Sequence, residues 1–287
     1  MKPSLRKLLV VLAIILATTI FIASIQNREA LVIASPISSS SSVKPSEPDQ
    51  KPVTNPPMFN YGGLELADDY GLLTQLDQYE ESFMMSDYTN EDRSVFNSTW
   101  APGNLIFSDD SVLSIAITEA PENAEAPWLS GEYQTRDTYS YGLYEVSMKP
   151  IKNVGVVSAF FVYSDDGNIR NEIDVEFQGN NTEIVQFNYF VGNENHPATH
   201  TLGFDAADDF HVYAFAWLPD QIIWYIDGIE ACRMPTNGRI STPSHILVNS
   251  WVGADRLHGW LGLFDGTTPL SAEYDWIRFT PITPIEI

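Results

Sequence analysis

Hydrophobic residues downstream of Leu105 alternate with polar residues or gather in short runs. The runs are rich in Val, Ile, Tyr, Phe and Trp, and Gly, Asn, Asp or Pro residues separate them. Both features are typical of β-strands. The segments that fit this pattern are NLIFSD, SVLSIAITEA, YGLYEVSMKP, GVVSAFFVYS, NEIDVEF, EIVQFNYFVG, FHVYAFAWLP, QIIWYIDGIEAC, HILVNSWVG and AEYDWIRFTP.

Two short polar sequences between these strands predict hairpin turns. They are Leu218–Gln221 and Ile226–Ile229, and the second contains an Asp-Gly pair. No long stretch has the period of an amphipathic helix, and residues 64–82 are the strongest candidate. Many short strands at nearly regular spacing predict one all-β domain, a sandwich or a barrel.

The N-terminal part of the chain has a different pattern. Lys2, Arg6 and Lys7 precede an uncharged run, Leu8–Ile25, so residues 1–34 are either a cleaved signal peptide or an uncleaved membrane anchor. Either alternative exports the rest of the chain, which is then secreted, periplasmic or held at the cell envelope. Residues 35–57 are rich in Ser and Pro and predict a flexible linker, so the folded domain is expected to span residues 58–287.

Composition narrows the range of partners. The chain has 287 residues, of which 44% are hydrophobic, enough for one large core or two modest ones. Its net charge of −23 argues against nucleic acid and anionic membrane surfaces, and it fits a neutral or cationic substrate. A single cysteine, Cys232, excludes an intrachain disulfide and cysteine-based zinc or iron–sulfur sites, and the five histidines lack a metal-binding spacing.

One of the predicted strands carries a row of acidic residues. Glu172, Asp174 and Glu176 occupy alternate positions of NEIDVEF, so on a strand they face the same way. The apolar residues between them face the opposite way and suit a core. Because neighbouring like charges repel, the acidic face is expected to border a wet groove where a function uses it.

Two carboxyl groups on one face suit glycoside hydrolysis, in which one acts as nucleophile and the other as acid/base. The Cα atoms of Glu172 and Glu176 are about 13 Å apart along a strand, so a curved sheet would have to close the gap. Asp174 can share a proton with its neighbours, and crowding should raise at least one carboxyl pKa. A solvated acidic face and a divalent cation site are the alternatives, although calcium usually takes its ligands from a loop.

The surrounding segments resemble glycoside hydrolase family 16, and most closely the bacterial lichenases, over about residues 96–280. The matching segments follow the family order and are YGLYEVSMKP, NEIDVEF, VQFNYF, LGFDAADDFHVYAFAW, IIWYIDG and AEYDWIRF. This resemblance implies a concanavalin A-like β-jelly-roll sandwich with a concave substrate cleft. It also implies that Glu172 is the nucleophile, Glu176 the acid/base and Asp174 an assisting carboxylate.

The resemblance implies further site residues, each of which has an ordinary strand role as the alternative. Asp275 corresponds to a family ligand of structural calcium, and catalysis is expected to need no cofactor. The cleft-lining positions that the resemblance implies are Asn97, Glu132, Gln134, Tyr163, Arg170, Gln186, Asn188 and Trp251.

Several positions depart from the usual lichenase residues. Arg170 is the departure with the largest chemical consequence, because it either pairs with the acidic row or contacts an acidic substituent on the substrate. Strict mixed-linkage glucan specificity is therefore in question. The departures are Ser98 and Ser130 in place of a disulfide pair, Gln134 in place of an arginine, Arg170 and Asn171 ahead of the acidic row, and Phe190 in place of a tyrosine.

The function expected from this resemblance is a monomeric, retaining endo-β-glucanase that hydrolyses β-1,4 bonds in mixed-linkage β-1,3-1,4-glucan. A glycanase or transglycosylase acting on a bacterial exopolysaccharide or a xyloglucan-like polymer is the alternative within the enzyme class. A glucan-binding protein without catalysis is the alternative from another class. In each case the expected partner is a neutral or mixed polysaccharide.

Overall fold

The computed structural model describes residues 66–68, 82–108, 112–165 and 170–282. The predicted signal or anchor segment (residues 1–34) and the predicted linker (residues 35–57) lie outside these ranges. In the described ranges no helix has the length and apolarity needed to cross a membrane.

The elements of the described residues are almost all strands. Two 3₁₀ turns (Pro102–Asn104 and Asp255–Leu257) and one short helix, α1 (His258–Leu261), accompany them. The strands are β1 (Leu66–Asp68), β2 (Phe83–Met85), β3 (Tyr88–Thr89), β4 (Ser98–Trp100), β5 (Leu105–Phe107), β6 (Leu113–Glu119), β7 (Trp128–Ser130), β8 (Glu132–Thr135), β9 (Gly142–Lys149), β10 (Val156–Asp165), β11 (Arg170–Gln178), β12 (Ile184–Val191), β13 (Glu194–Asn195), β14 (Ala198–Thr201), β15 (His211–Trp217), β16 (Gln221–Ile226), β17 (Ile229–Pro235), β18 (His245–Val252) and β19 (Leu270–Pro281).

These strands form two sheets, so the predicted all-β jelly-roll sandwich is confirmed for the part of the chain that the structure describes. The larger sheet has the order β17-β16-β15-β9-β19-β6-β7-β4-β3, with β1 beside β19 and β5 beside β6. The smaller sheet has the order β13-β12-β11-β10-β18-β8-β2, with β14 beside β12. Strand pairs in the smaller sheet are antiparallel, and β4 pairs with β7 in parallel.

The core lies between the sheets and fixes the orientation of β11. Ile173, Val175 and Phe177 are completely buried in the main core cluster. Burying each such side chain stabilises the fold by roughly 1.5–3 kcal/mol. A slip of one residue in the register of β11 would place the acidic row in this core, so the apolar residues decide which face the acids occupy.

Both predicted hairpin turns are present. Asp227 and Gly228 have φ angles of 49° and 78°, the left-handed pair that a tight hairpin between β16 and β17 requires. The backbone N–H of Leu218 donates to the carbonyl of Gln221 at 2.9 Å and closes the other turn. Within the helix candidate at residues 64–82, however, Leu66–Asp68 forms a strand, because its backbone pairs with the exposed edge of β19. Ser82, at the other end of the candidate, is helical. Residues 69–81 lie outside the described ranges.

Hydrogen bonds to β18 occupy the two positions where the resemblance indicated a missing disulfide. Ser98 and Ser130 are fully buried. The Ser98 hydroxyl oxygen accepts from the Val252 backbone N–H at 3.0 Å, and the Ser130 hydroxyl donates to the Ser250 carbonyl. Strands β4 and β7 are thereby tied to β18 without a covalent link.

Trp224 supports the acidic strand from the core side. This buried residue of β16 donates a hydrogen bond from its indole N–H to the backbone carbonyl of Asp174 at 3.0 Å, and it stacks on Phe187. Its ring therefore links the larger sheet to the centre of β11.

Replacing Trp224 by Phe should lower the free energy of unfolding by about 1–3 kcal/mol, because a buried carbonyl loses its donor and a small cavity forms. Urea denaturation is the measurement. The control is Trp276→Phe, since Trp276 is only half-buried and lies outside the core clusters, and its effect should stay near 0.5 kcal/mol. Equal losses in the two variants would contradict the supporting role of Trp224.

Candidate active site

The outer face of the smaller sheet lines a cavity of about 320 Å³. Strands β8, β18, β10, β11 and β12 form its floor, and residues 88–100 and the region of α1 form its walls. The acidic row of β11 lies on this floor, as the period of the strand predicts.

Antiparallel pairing aligns residues from distant parts of the sequence into rows across the floor. Opposing residues of neighbouring strands lie side by side on one face, so each acid has fixed neighbours. Glu172 lies between Tyr163 and Phe190. The row through Asp174 contains Gln134, Leu247, Phe161, Asp174 and Asn188, and the row through Glu176 contains Glu132, Asn249, Ala159, Glu176 and Gln186.

Glu172 forms an ion pair with Arg170, the first residue of β11. The guanidinium Nε donates to Glu172 Oε2 at 2.6 Å, and Nη2 donates to the same oxygen. The two side chains are 10% and 14% exposed, so the pair is largely screened from solvent. Of the two alternatives for Arg170, the structure therefore shows pairing with the acidic row.

Asp174 is a buried carboxyl at the centre of the row, with 3% of its surface exposed. Burial raises its pKa well above the usual range, and the charges of Glu172 and Glu176 raise it further. A hydrogen bond with Glu172 also raises the Asp174 pKa. Each of these effects favours the protonated, neutral form of the Asp174 carboxyl.

Glu176 combines a raised pKa with a hydrogen bond from the neighbouring strand. Burial is the largest cause and the charge of Glu172 the next, and together they raise its pKa from 4.5 to about 7. Gln186 Nε2 donates to Glu176 Oε2 at 3.0 Å, and Gln186 Oε1 accepts from Gln178. A carboxyl that titrates near neutral pH can give a proton in one step and take it back in the next.

Glu132 lies at the far end of the Glu176 row inside a polar cluster. Its carboxyl accepts hydrogen bonds from Ser86 Oγ at 2.7 Å, Asn249 Nδ2 at 3.0 Å and Tyr88 Oη at 3.4 Å. Gln134 Nε2 donates to Ser86 Oγ at 2.9 Å. Burial raises the pKa of Glu132, although the three donors oppose the shift.

The structure brings most of the predicted substrate residues together. The predicted residues that line the cavity are Glu132, Gln134, Tyr163, Arg170, Gln186, Asn188 and Trp251. Asn97 is not among the lining residues, because its side-chain oxygen accepts from Arg93 Nη2 at 3.1 Å. The preceding residue, Phe96, lines the cavity instead and packs edge-on against Trp251 with 4.8 Å between ring centres.

Asp275 lies away from the cavity, at a bulge of β19 in the larger sheet. Its Oδ2 accepts from Ser147 Oγ at 3.5 Å. No group of three or more His, Cys, Asp or Glu side chains suited to a metal occurs in the described residues. A calcium ion at Asp275 would therefore take most of its oxygens from the backbone, and this site stays a prediction.

Sequence reasoning missed several lining residues. Period two along β18 places Leu247 and Asn249 on the same face as Trp251, and the same period places Phe161 beside Tyr163. Tyr88, Asn90 and Trp260 also line the cavity, but they come from short elements without a recognisable pattern.

Comparisons with known proteins agree with this geometry. The model of the family described as "Glycosyl hydrolases family 16" matches residues 92–278. The chain is 45% identical over 189 residues to a protein named "Beta-glucanase" from Paenibacillus polymyxa. The match covers 65% of this chain and 77% of that relative.

Solved structures of a lichenase and a β-glucanase also align with this chain. A β-1,3-1,4-glucanase (lichenase) from a mouse hindgut metagenome aligns with a TM-score of 0.70 and 38% identity, over 76% of this chain and 99% of that chain. A β-glucanase from Bacillus licheniformis aligns with a TM-score of 0.69 and 38% identity, over 76% and 98%.

The raised pKa of Glu176 predicts a dependence of stability on pH. A carboxyl whose pKa is higher in the folded state stabilises the fold below its unfolded pKa, and this contribution is lost as the pH rises through about 7. In Glu176→Gln, the fall in unfolding free energy between about pH 5 and about pH 8 should therefore be smaller than in the unmodified protein. Urea denaturation at both pH values is the measurement.

The control for this experiment is Glu122→Gln, which changes an exposed acid in the turn between β6 and β7. It should leave the dependence on pH unchanged. An identical dependence in Glu176→Gln and the unmodified protein would contradict the titration assigned to Glu176.

Proposed function

This chain belongs to family 16 of the glycosyl hydrolases, and on that premise we propose that it is a retaining endo-β-glucanase that hydrolyses β-1,4 bonds in mixed-linkage β-1,3-1,4-glucan. Relatives named beta-glucanase and lichenase support this substrate. The observation that carries the proposal is the row of three carboxyls on the cleft floor, in which Glu176 titrates near neutral pH while Glu172 is held in an ion pair.

In the first step Glu172 attacks the anomeric carbon of the sugar on one side of the bond. A bond forms between its carboxylate oxygen and that carbon, and the bond to the leaving oxygen breaks. The carboxyl of Glu176 gives its proton to the leaving oxygen, which departs as a free hydroxyl. The raised Glu176 pKa keeps this proton available at neutral pH.

In the second step water replaces Glu172 at the same carbon. Glu176, now a carboxylate, takes a proton from the water. The water oxygen bonds to the anomeric carbon, and the bond between that carbon and Glu172 breaks. Two inversions restore the original anomeric configuration. Asp174, whose raised pKa favours the protonated carboxyl, is hydrogen-bonded to Glu172 and stabilises the negative charge that returns to the nucleophile.

The walls of the cleft suit a polysaccharide. Phe96, Trp251 and Trp260 line the cavity and offer apolar rings against which sugar faces can pack. Gln186 and Asn188 provide amide groups on the floor for sugar hydroxyl groups.

A glucan-binding protein without catalysis and a transglycosylase are the competing functions. The retention of Glu172, Asp174 and Glu176 with a titrating acid favours catalysis over binding alone. Transglycosylation differs only in the acceptor of the second step, and product analysis with an added oligosaccharide separates it from hydrolysis. Export of the protein and calcium at Asp275 remain predictions beside this proposal.

Replacing Glu172 by Gln should reduce kcat on barley β-glucan by at least about 10³-fold, because an amide cannot form the covalent intermediate. Release of reducing ends is the measurement, and circular dichroism should show an unchanged fold. The control is Glu230→Gln, which changes an exposed glutamate of β17. Normal turnover by Glu172→Gln would rule out the assigned nucleophile.

The pH profile should reflect the proton on Glu176. Because the first step needs the protonated form, kcat/KM should fall as the pH rises through about 7. In Glu176→Gln, an aryl glycoside whose leaving group needs no proton should still react in the first step, and this alkaline limb should vanish. Persistence of the same limb in that variant would assign it to another group.

A further inference from the structure

Of the described residues that line the cavity, Arg170 is the single Lys or Arg, whereas four are acids. These acids are Glu132, Glu172, Asp174 and Glu176. The position of this one cation within the acidic row therefore decides which carboxylate has a counter-charge.

The contacts of Arg170 hold its guanidinium in one orientation. Its carbon atom Cζ lies 4.1 Å from the centre of the Phe190 ring and 5.8 Å from the centre of the Tyr163 ring. These rings belong to the strands on either side of β11 and are the direct cross-strand neighbours of Glu172. A planar guanidinium with aromatic contacts from both neighbouring strands loses little further freedom when it binds a carboxylate.

Both observed donors of Arg170 end on the same oxygen of Glu172. Nε and Nη2 bond to Oε2, which turns that oxygen toward Arg170 and leaves Oε1 outside the ion pair. In a largely buried site such a charge-assisted contact is stronger than in water. The rotamer of Glu172 is therefore fixed before a substrate arrives.

We propose that Arg170 is a positioning residue that holds the Glu172 carboxylate in its reactive orientation and supplies its counter-charge. This inference rests on the nucleophilic role of Glu172 proposed above. It assigns Arg170 to the arrangement of the acidic row, and it makes the residue a determinant of turnover.

The charge of Arg170 also acts on the other acids of the row. It opposes the rise in the pKa of Glu176 and of Asp174. Among the described residues that line the cavity, the other titratable groups are Tyr88 of β3, Tyr163 of β10 and Glu132 of β8. Strands β12 and β18 contribute the uncharged residues Gln186, Asn188, Phe190, Leu247 and Asn249. Removing the guanidinium should therefore move the Glu176 titration to higher pH.

Recognition of an acidic sugar substituent is the alternative role of Arg170. Nη1 has no hydrogen-bond partner among the described residues, but this atom is buried from solvent, and the other two nitrogens donate to Glu172. The contacts thus favour positioning of the nucleophile, and the experiment below includes an anionic substrate to separate the two roles.

The experiment compares Arg170→Gln, Arg170→Lys and Arg170→Trp with the unmodified full chain on barley β-glucan. Arg170→Gln should lower kcat by about tenfold to a hundredfold with KM within about twofold, because the nucleophile loses its orientation before and after substrate binds. Arg170→Lys keeps the positive charge but lacks the forked guanidinium donors. Its kcat should therefore lie between those of Arg170→Gln and the unmodified protein, and the fall of its kcat/KM at alkaline pH should stay at the same pH. Arg170→Trp fills the space without a charge and should resemble Arg170→Gln.

A matched control and a readout without turnover complete the design. Arg233→Gln breaks an exposed Arg–Glu pair on β17 and should change none of these quantities. The titration of Glu176, followed by NMR of ¹³C-labelled carboxyl groups, should shift to higher pH in Arg170→Gln and in Arg170→Trp. This shift is measurable on any folded variant, whether or not the protein cleaves a glucan.

Unchanged kcat together with an unchanged Glu176 titration in Arg170→Gln would overturn the positioning role. Loss confined to KM, or to cleavage of barley β-glucan oxidised to carboxylates at C6, would instead show substrate recognition by Arg170. If the unmodified protein cleaves no glucan, the proposed function fails, and the NMR titration still decides whether Arg170 acts on the acidic row.

Discussion

The structure depends on one constraint, which is that β11 presents an apolar face to the core and an acidic face to the cleft. Ile173, Val175 and Phe177 are completely buried, and their burial pins the register that brings Glu172, Asp174 and Glu176 onto the cleft floor. Repulsion within the acidic row is limited because the raised pKa values of Asp174 and Glu176 favour their protonated forms and Arg170 pairs with Glu172. The core therefore stabilises a charge arrangement that would be unfavourable by itself.

The neighbouring strands turn this row into a site with distinct roles for each acid. On one side, Tyr163 and Phe190 flank Glu172 and contact the guanidinium of Arg170. On the other side, Gln186 bonds Glu176. These different environments give Glu172 a counter-charge and Glu176 a raised pKa, which suits the proposed division into a nucleophile and an acid.

The sequence predicted the fold class and the acidic row because period two and the apolar residues of β11 are local properties. It did not predict the cross-strand rows, since the register between distant strands depends on the assembled sheet. Asn97 and Phe96 illustrate the limit. A shift of one position along the chain changes which of these two neighbours faces the cleft, and the structure places Phe96 there. The sequence also left undecided whether Arg170 pairs with the acidic row, since pairing with Glu172 depends on the side-chain geometry at the start of β11.

The most direct test of the central claim is to trap the covalent intermediate. An activated 2-deoxy-2-fluoro β-glycoside slows the second step more than the first, so the glycosyl-enzyme accumulates and its peptides can be mapped by mass spectrometry. The account predicts a single labelled peptide with the sugar attached to Glu172. A label on Glu176, or glucan turnover with inverted anomeric configuration and no label, would contradict it.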